Sequence, residues 1–255
     1  MDTAPLSQPP PFLKLIAHGL RWNLVEALSR SDLRVQELVE LVGEPANLVS
    51  YHLRQLREQA LVAERRSAAD RRDVYYSLDL ERLRGLFMTA SETLHPGLAE
   101  TPQAAVLSGL RLERRVRVLF LCTHNSARSQ MAEALLRSLG NGEVEAFSAG
   151  TEVTRVHPLA VQTMAERGLD ISAQRSKHLS EYVGEPFDYV ITVCDNAREA
   201  CPLFPGDPER IHWSIPDPAA VEGSEEVQAA AFQRAADELT ARIRYLLAVL
   251  DKKGR

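Results

Sequence analysis

The sequence predicts two folds in series. The first is a mainly helical winged helix-turn-helix over residues 11–95. The second, over 115–255, is an α/β fold with a doubly wound parallel sheet and a CX5R anion loop. Three observations lead there. Up to residue 95, apolar side chains recur almost only at helical spacing. Beyond residue 115, short β-branched runs alternate with helical stretches, the pattern of strands joined by crossover helices. Between the two, HPGLAETPQ (95–103) collects Pro, Gly and small polar residues, so that 96–114 reads as a linker.

In the first half, Leu13, Ile16, Leu20, Leu24 and Leu28 form one stripe and predict a helix over Phe12–Ser29. Leu33–Val42 repeats the pattern in a shorter piece that Gly43 stops. Pro45 fits the first turn of the next helix, Ala46–Gln59, with Leu48, Leu53 and Leu56 on one stripe. Leu61–Arg65 and Val74–Leu78, joined through Asp70-Arg71-Arg72, predict a two-stranded hairpin, and Leu80–Leu94 closes the half as a helix. In a winged helix-turn-helix the second helix enters the major groove while the hairpin lies along the phosphates. The candidates on that helix are Asn47, Ser50, Tyr51, His52, Arg54 and Gln55; those for phosphate are Arg65, Arg66, Arg71 and Arg72. The bland alternative is a solvated charged face on a helical interaction domain.

Charge and composition narrow the classes. Residues 1–110 hold 12 Lys and Arg against 14 Asp and Glu, and 111–255 hold 18 against 21, so neither half is basic in bulk. The cations are instead concentrated: residues 51–72 carry six Arg against three acids, which is where a nucleic-acid footprint is expected. Hydrophobic residues make up 45% and charged residues 25%, which excludes a disordered or collagenous chain. The longest apolar runs, such as Leu246–Leu250, fall far short of the ~20 residues of a membrane span. The opening MDTAPLSQPPP lacks the basic and apolar regions of a secretory signal, so a cytoplasmic protein without a membrane partner is expected. Three cysteines, all in the second half, argue for a reduced compartment rather than a disulfide framework.

The second half opens with Val116–Leu121, a buried-strand run, then Cys122, Thr123, His124, Asn125, Ser126, Ala127, Arg128 and a helix over Ser129–Leu139. Cysteine and arginine six positions apart at a strand-to-helix turn form a specific constellation. The loop amides and helix N-terminus make an anion nest, and the Arg128 fork suits a tetrahedral oxyanion. The same positive field favours a thiolate at Cys122, aimed at the anion's central atom. Asn125 is placed to brace the loop, and Ser129 to donate to the sulfur. Phe187–Val193 is a second buried-strand run with Cys194 directly after it, which puts Cys122 and Cys194 at one crevice of a parallel sheet. Cys201 comes next in NAREACPLFPG, where Pro and Gly permit rearrangement, so the three thiols can relay a disulfide. A zinc site is the structural rival, weakened by the lack of a CxxC pair; no metal is expected. Asp217, between two prolines in HWSIPDPA (212–219), is a candidate general acid, or simply caps its turn.

Two resemblances add to this reading. LVSYHLRQLREQALVAERRSAADRRDVYYSL (48–78), with Arg21 and Tyr75-Tyr76, resembles the ArsR-type winged-helix repressors, over roughly 11–95. That implies double-stranded DNA as partner and a homodimer formed through the N-terminal domain. Many members sense metals through thiols in the helix before the recognition helix, and Leu33–Val42 has none. CTHNSARSQMAE (122–133), FSAG (147–150), VITVCDNAREACP (190–202) and HWSIPDPA resemble the arsenate reductases of the low-molecular-weight tyrosine phosphatase fold. The second resemblance implies that Cys122 attacks arsenate, that Cys194 displaces arsenite, and that Cys201 takes over the disulfide and presents it to thioredoxin. It also implies that Arg128 binds the oxyanion and Asp217 donates the proton. No tightly bound cofactor is implied, only a thioredoxin-type reductant as co-substrate. Ala127 stands where several members carry a cysteine outside the relay, and Lys177 where some carry Asp near a monovalent cation. The alternatives are a small phosphatase using Cys122 and Asp217, and a regulator whose second domain only senses oxyanion or redox state.

Overall fold

The computed structural model describes residues 8–95 and 114–253. The chain divides into two compact units, Met1–Pro102 and Gln103–Arg255. Of the expected linker 96–114, only Arg114 lies within the described residues.

The first unit runs α1 (Pro11–Ile16), α2 (Gly19–Leu28), β1 (Leu33–Arg34), α3 (Val35–Val42), α4 (Ala46–Glu58), β2 (Val62–Arg66), β3 (Val74–Leu78) and α5 (Leu80–Leu94). The single helix expected over Phe12–Ser29 is thus two. The backbone turns extended at His18, with φ −77° and ψ 125°, just before Gly19. The periodicity survives the break because both pieces bury one face: Phe12, Ile16, Leu20, Leu24 and Leu28 enter a common core. The wing also gains a strand. β1 pairs antiparallel with β3 at Leu33↔Tyr76 and Arg34↔Tyr75, giving the order β1-β3-β2. Two residues are too few to leave a periodic signal in the sequence. Gly43 ends α3 at φ +68°, a conformation that costs a glycine nothing.

The buried stripe of α4 is Val49, His52, Leu53 and Leu56, the i, i+3, i+4, i+7 set of one helix face. Leu48, expected on that stripe, is 37% exposed instead. His52 takes the inward place, which corrects its assignment to the groove-facing side.

The second unit runs β4 (Val116–Cys122), α6 (Arg128–Leu139), β5 (Val144–Gly150), α7 (Pro158–Ala165), β6 (Tyr189–Thr192), α8 (Asp195–Glu199), β7 (Glu209–His212) and α9 (Glu225–Lys253). The four strands are parallel in the order β5-β4-β6-β7. The strand expected over Phe187–Val193 is shorter, because pairing with β4 begins at Tyr189 and ends at Thr192. Val118, Leu119, Phe120 and Leu121 are all buried, as a central parallel strand covered on both faces requires. Since β5 lies on one side of β4 and β6 on the other, the order switches at β4. Ligands of doubly wound sheets bind beyond the carboxyl end of such a strand. Here that end is Cys122, level with Gly150 on β5.

Candidate functional site

The loop from Cys122 to Arg128 is held from outside by its carbonyls. Thr123 O accepts from Glu152 N at 2.8 Å, and Ser126 O from His157 N at 2.8 Å. Asn125 O accepts from Ser176 Oγ at 2.7 Å and from Gln130 Nε2 at 3.1 Å. With these carbonyls engaged outward, the Asn125 amide turns inward and donates to Cys122 Sγ at 3.2 Å. To do so Asn125 adopts a left-handed φ of 47°, and it is wholly buried.

Its side chain braces the loop. Asn125 Nδ2 donates to Ser129 Oγ at 2.8 Å and to Ser148 Oγ at 2.9 Å. Asn125 Oδ1 accepts from Gln130 Nε2 at 2.8 Å and Lys177 N at 2.7 Å, which fixes the amide's orientation. Ser129 Oγ therefore accepts a hydrogen bond from Asn125 and has its own hydrogen to donate to Cys122 Sγ, 2.9 Å away. Ser148 in turn donates to the buried carboxylate of Glu133, which Lys177 Nζ meets at 3.0 Å and Arg137 at 2.6 Å. Gln130, Glu133, Ser148, the Ser176 hydroxyl and the Lys177 amide are site residues to which the sequence assigns no role. The available signal is Ser129, Gln130 and Glu133 interleaved with apolar residues at 131, 132 and 134–136 in the first turns of the helix.

Gly150 sets how closely β5 can approach this loop. A Cβ there would stand 2.6 Å from Thr123 O and 2.7 Å from Asn125 N, both backbone atoms. Gly150→Ala is therefore expected to displace the loop and to raise the oxyanion concentration needed to fill it. Phosphate protection of Cys122 against alkylation measures this; protection at the wild-type concentration would refute it.

Arg128 is 8% exposed. Its guanidinium donates to Ile215 O at 2.9 Å and pairs with Asp217 at 2.8 Å. Asp217 also caps the short turn Pro218–Ala220 by accepting from Ala219 N at 3.1 Å. The capping role read from the sequence is thus present, and the same turn aims the carboxylate at Arg128. His157 lies near that carboxylate, with its ring stacked 4.7 Å from Phe232. Burial lowers its pKa, and Asp217 pulls the other way. His124 sits at the rim, 3.3 Å from Glu152.

Cys194 lies two residues past the end of β6, and its Sγ is 3.4 Å from Thr123 Oγ1, next to the nucleophile position. Burial pushes the Cys194 thiol up; Arg128 opposes the rise and the Cys122 sulfur adds to it. Cys201 is half-buried, and burial raises its thiol too, with Arg210 opposing. All three cysteines are free thiols. Among the described residues, no group of three or more His, Cys, Asp and Glu could hold a metal ion, and no helix is long and apolar enough to cross a membrane.

In the first unit, Asn47, Ser50, Tyr51 and Arg54 are exposed along α4, and Gln55 is half-exposed. His52 is 4% exposed and faces inward. Its ring lies 4.4 Å from that of His18, and its Nδ1 accepts from Arg21 at 3.3 Å. Burial chiefly, then His18 and Arg21, lower its pKa. Arg66, Arg71 and Arg72 are exposed on the wing and Arg65 half-exposed. Arg72 already grips Asp70 at 2.7 Å, holding that carboxyl down at about 2.

A parallel sheet whose switch-point strand ends in a cysteine, with an arginine and a facing carboxylate across the loop, defines a thiol enzyme directed at oxyanions. Residues 117–255 match the low molecular weight phosphotyrosine protein phosphatase model, and the chain belongs to that family. Residues 19–64 match the bacterial regulatory protein, arsR family model, so the family domain is fused to an arsR-type helix-turn-helix. The chain is similar to the arsenate reductase of Halalkalibacterium halodurans, 42% identical over 127 residues, 50% of this chain and 91% of that protein. It is likewise 41% identical to the arsenate reductase of Bacillus subtilis over the same shares. A solved arsenate reductase from Archaeoglobus fulgidus aligns at 32% identity and a TM-score of 0.43, over 51% of this chain and 98% of that one.

Proposed function

We propose that the second unit reduces arsenate to arsenite through Cys122, Cys194 and Cys201, and that the first unit binds double-stranded DNA as a regulator of arsenic resistance. The observation that carries the reductase reading is Cys194, a second thiol at the carboxyl end of the sheet, 3.4 Å from Thr123 Oγ1. A phosphatase using the same loop has no use for it. The oxyanion takes the place of the Asp217 carboxylate on Arg128, Asp217 takes up a proton from water, and it passes that proton to the departing oxygen as the Cys122 thiolate attacks arsenic. Cys194 and Cys201 then carry the disulfide outward to a thioredoxin-type dithiol protein, with no resident cofactor. Arsenate-dependent NADPH consumption in the presence of thioredoxin and its reductase tests this; phosphate-ester hydrolysis without it would favour a phosphatase.

In the regulator half, the exposed Asn47, Ser50, Tyr51 and Arg54 face base edges, with Gln55 beside them. Arg65, Arg66, Arg71 and Arg72 meet phosphates, and the unit pairs as a homodimer. Binding is expected to fall steeply with salt. Replacing Arg71 and Arg72 together lowers affinity for every sequence and flattens the slope of log K against log salt by ~0.9 for each phosphate no longer neutralised. Replacing Ser50 alters preference among sequences instead. Fluorescence anisotropy on labelled duplexes reads both; an unchanged salt slope in the double variant removes the wing from the interface.

A further inference from the structure

A buried polar cluster stands beside the active loop and takes no part in the chemistry proposed for the three thiols. Asp195, the first residue of α8, directly follows Cys194 and is 1% exposed. Its Oδ1 accepts from Ser214 Oγ at 2.7 Å and lies 3.2 Å from His212 Nε2. The other ring nitrogen, Nδ1, lies 2.8 Å from Thr192 Oγ1. All four side chains are buried, so the ends of β6 and β7 and the start of α8 are tied through one carboxylate. A buried carboxylate is tolerated only with such donors around it, which makes this arrangement specific rather than incidental.

The strand segment that it grips leads directly to Ile215, whose carbonyl accepts from Arg128, and to Asp217, which pairs with Arg128. Asp195 thus ties the backbone of the second thiol to the residues just before that segment, while Arg128 keeps its own anchors on Ile215 O and Asp217. The chain beyond α8 is different. Cys201 is half-buried, and Leu203 beyond it is 85% exposed.

We propose that Asp195 is a positioning residue for the thiol relay: with His212 and Ser214 it pins Cys194 at the carboxyl end of the sheet while the Cys201 end of the segment moves. This rests on the arsenate reductase reading. In the first exchange the Cys194 thiolate attacks Cys122 Sγ, and an S–S bond forms. The S–As bond breaks with its electron pair on arsenic, which passes from pentavalent to trivalent as the two thiols are oxidised. In total, arsenate and two thiols give arsenite, one disulfide and one water. In the second exchange the Cys201 thiolate attacks Cys194 Sγ, and Cys122 leaves as a thiolate. Both exchanges need Cys194 in line with a partner sulfur, and the pin supplies that alignment in advance.

The test uses the full chain with one equivalent of arsenate, quenched at intervals with iodoacetamide and mapped by mass spectrometry. Asp195→Ala should form the Cys122–Cys194 disulfide at least ten-fold more slowly than wild type. Asp195→Asn, which keeps an acceptor in place, should recover to within about two-fold. Ser214→Ala removes one hydroxyl, should slow the step about three-fold, and serves if Asp195→Ala does not fold. Phosphate should protect Cys122 from alkylation equally in all of them. Wild-type disulfide rates in Asp195→Ala, or a parallel loss of phosphate protection, would overturn the positioning role. Failure of the wild type itself to form a disulfide would overturn the arsenate reading instead. Diamide, which oxidises dithiols without arsenate, then reads the pin separately: Cys194–Cys201 closure ten-fold slower in Asp195→Ala supports it, and equal rates overturn it.

Discussion

Cys122→Ser is expected to abolish arsenate turnover, by on the order of a million-fold, the scale of losing a nucleophile that works as part of a unit. The serine hydroxyl is not ionised at neutral pH and would need a general base beside it. Asn125 N and Ser129 Oγ, within 3.2 Å of the sulfur, are arranged as donors to an anion instead. Cys201→Ser should behave differently. It leaves Cys122 and Cys194 intact, so one equivalent of arsenate should yield one turnover and a trapped Cys122–Cys194 disulfide. Mass mapping after one equivalent reads this directly. No disulfide, or one that excludes Cys194, would remove the relay.

Lys177→Met should lower the stability of the second unit by ~3 kcal/mol, near the lower end for breaking a buried ion pair. Its ammonium lies 3.0 Å from Glu133, with the two side chains only 11% and 3% exposed. Arg137 remains on the other carboxylate oxygen, which is why the lower end is expected. For a unit of this size ~3 kcal/mol corresponds to roughly 6–12 °C in Tm. The double variant Lys177→Met with Glu133→Gln should recover most of the loss, because no uncompensated charge is left inside. Calorimetry of the three chains decides it: a single variant that melts with the wild type would show that the pair contributes nothing. The consequence also reaches the site, because Glu133 receives the Ser148 hydroxyl that accepts from Asn125.

The architecture is largely legible because it follows from local pattern. Helical periodicity marks α2, α3, α4 and α5, and Gly43 marks a stop that its φ of +68° explains. Val116–Leu121 and Phe187–Val193 are readable as buried parallel strands because such strands are apolar on both faces. Each miss has its own physical cause. The break at His18 is invisible because α1 and α2 bury the same face, so the apolar stripe runs through it. His52 is misplaced because a histidine looks polar in sequence, whereas here its position on the 49/52/53/56 face sends it inward beside His18 and Arg21.

By itself, the sequence determined the two-part order of the chain, the strand–Cys122–Arg128–helix constellation, and the placement of Cys194 after a second parallel strand. These are properties of contiguous residues, and local backbone geometry carries them. Only the tertiary structure decided what acts on that loop from a distance. Lys177 and Ser176 reach Asn125 across some fifty positions, at separations of 52 and 51 residues. Gly150 sits against Thr123 and Asn125, and Asp195 meets Ser214 19 residues on. Hydrogen bonds and close approaches depend on distance in space, and a parallel sheet brings strand ends together that the chain separates by a whole crossover.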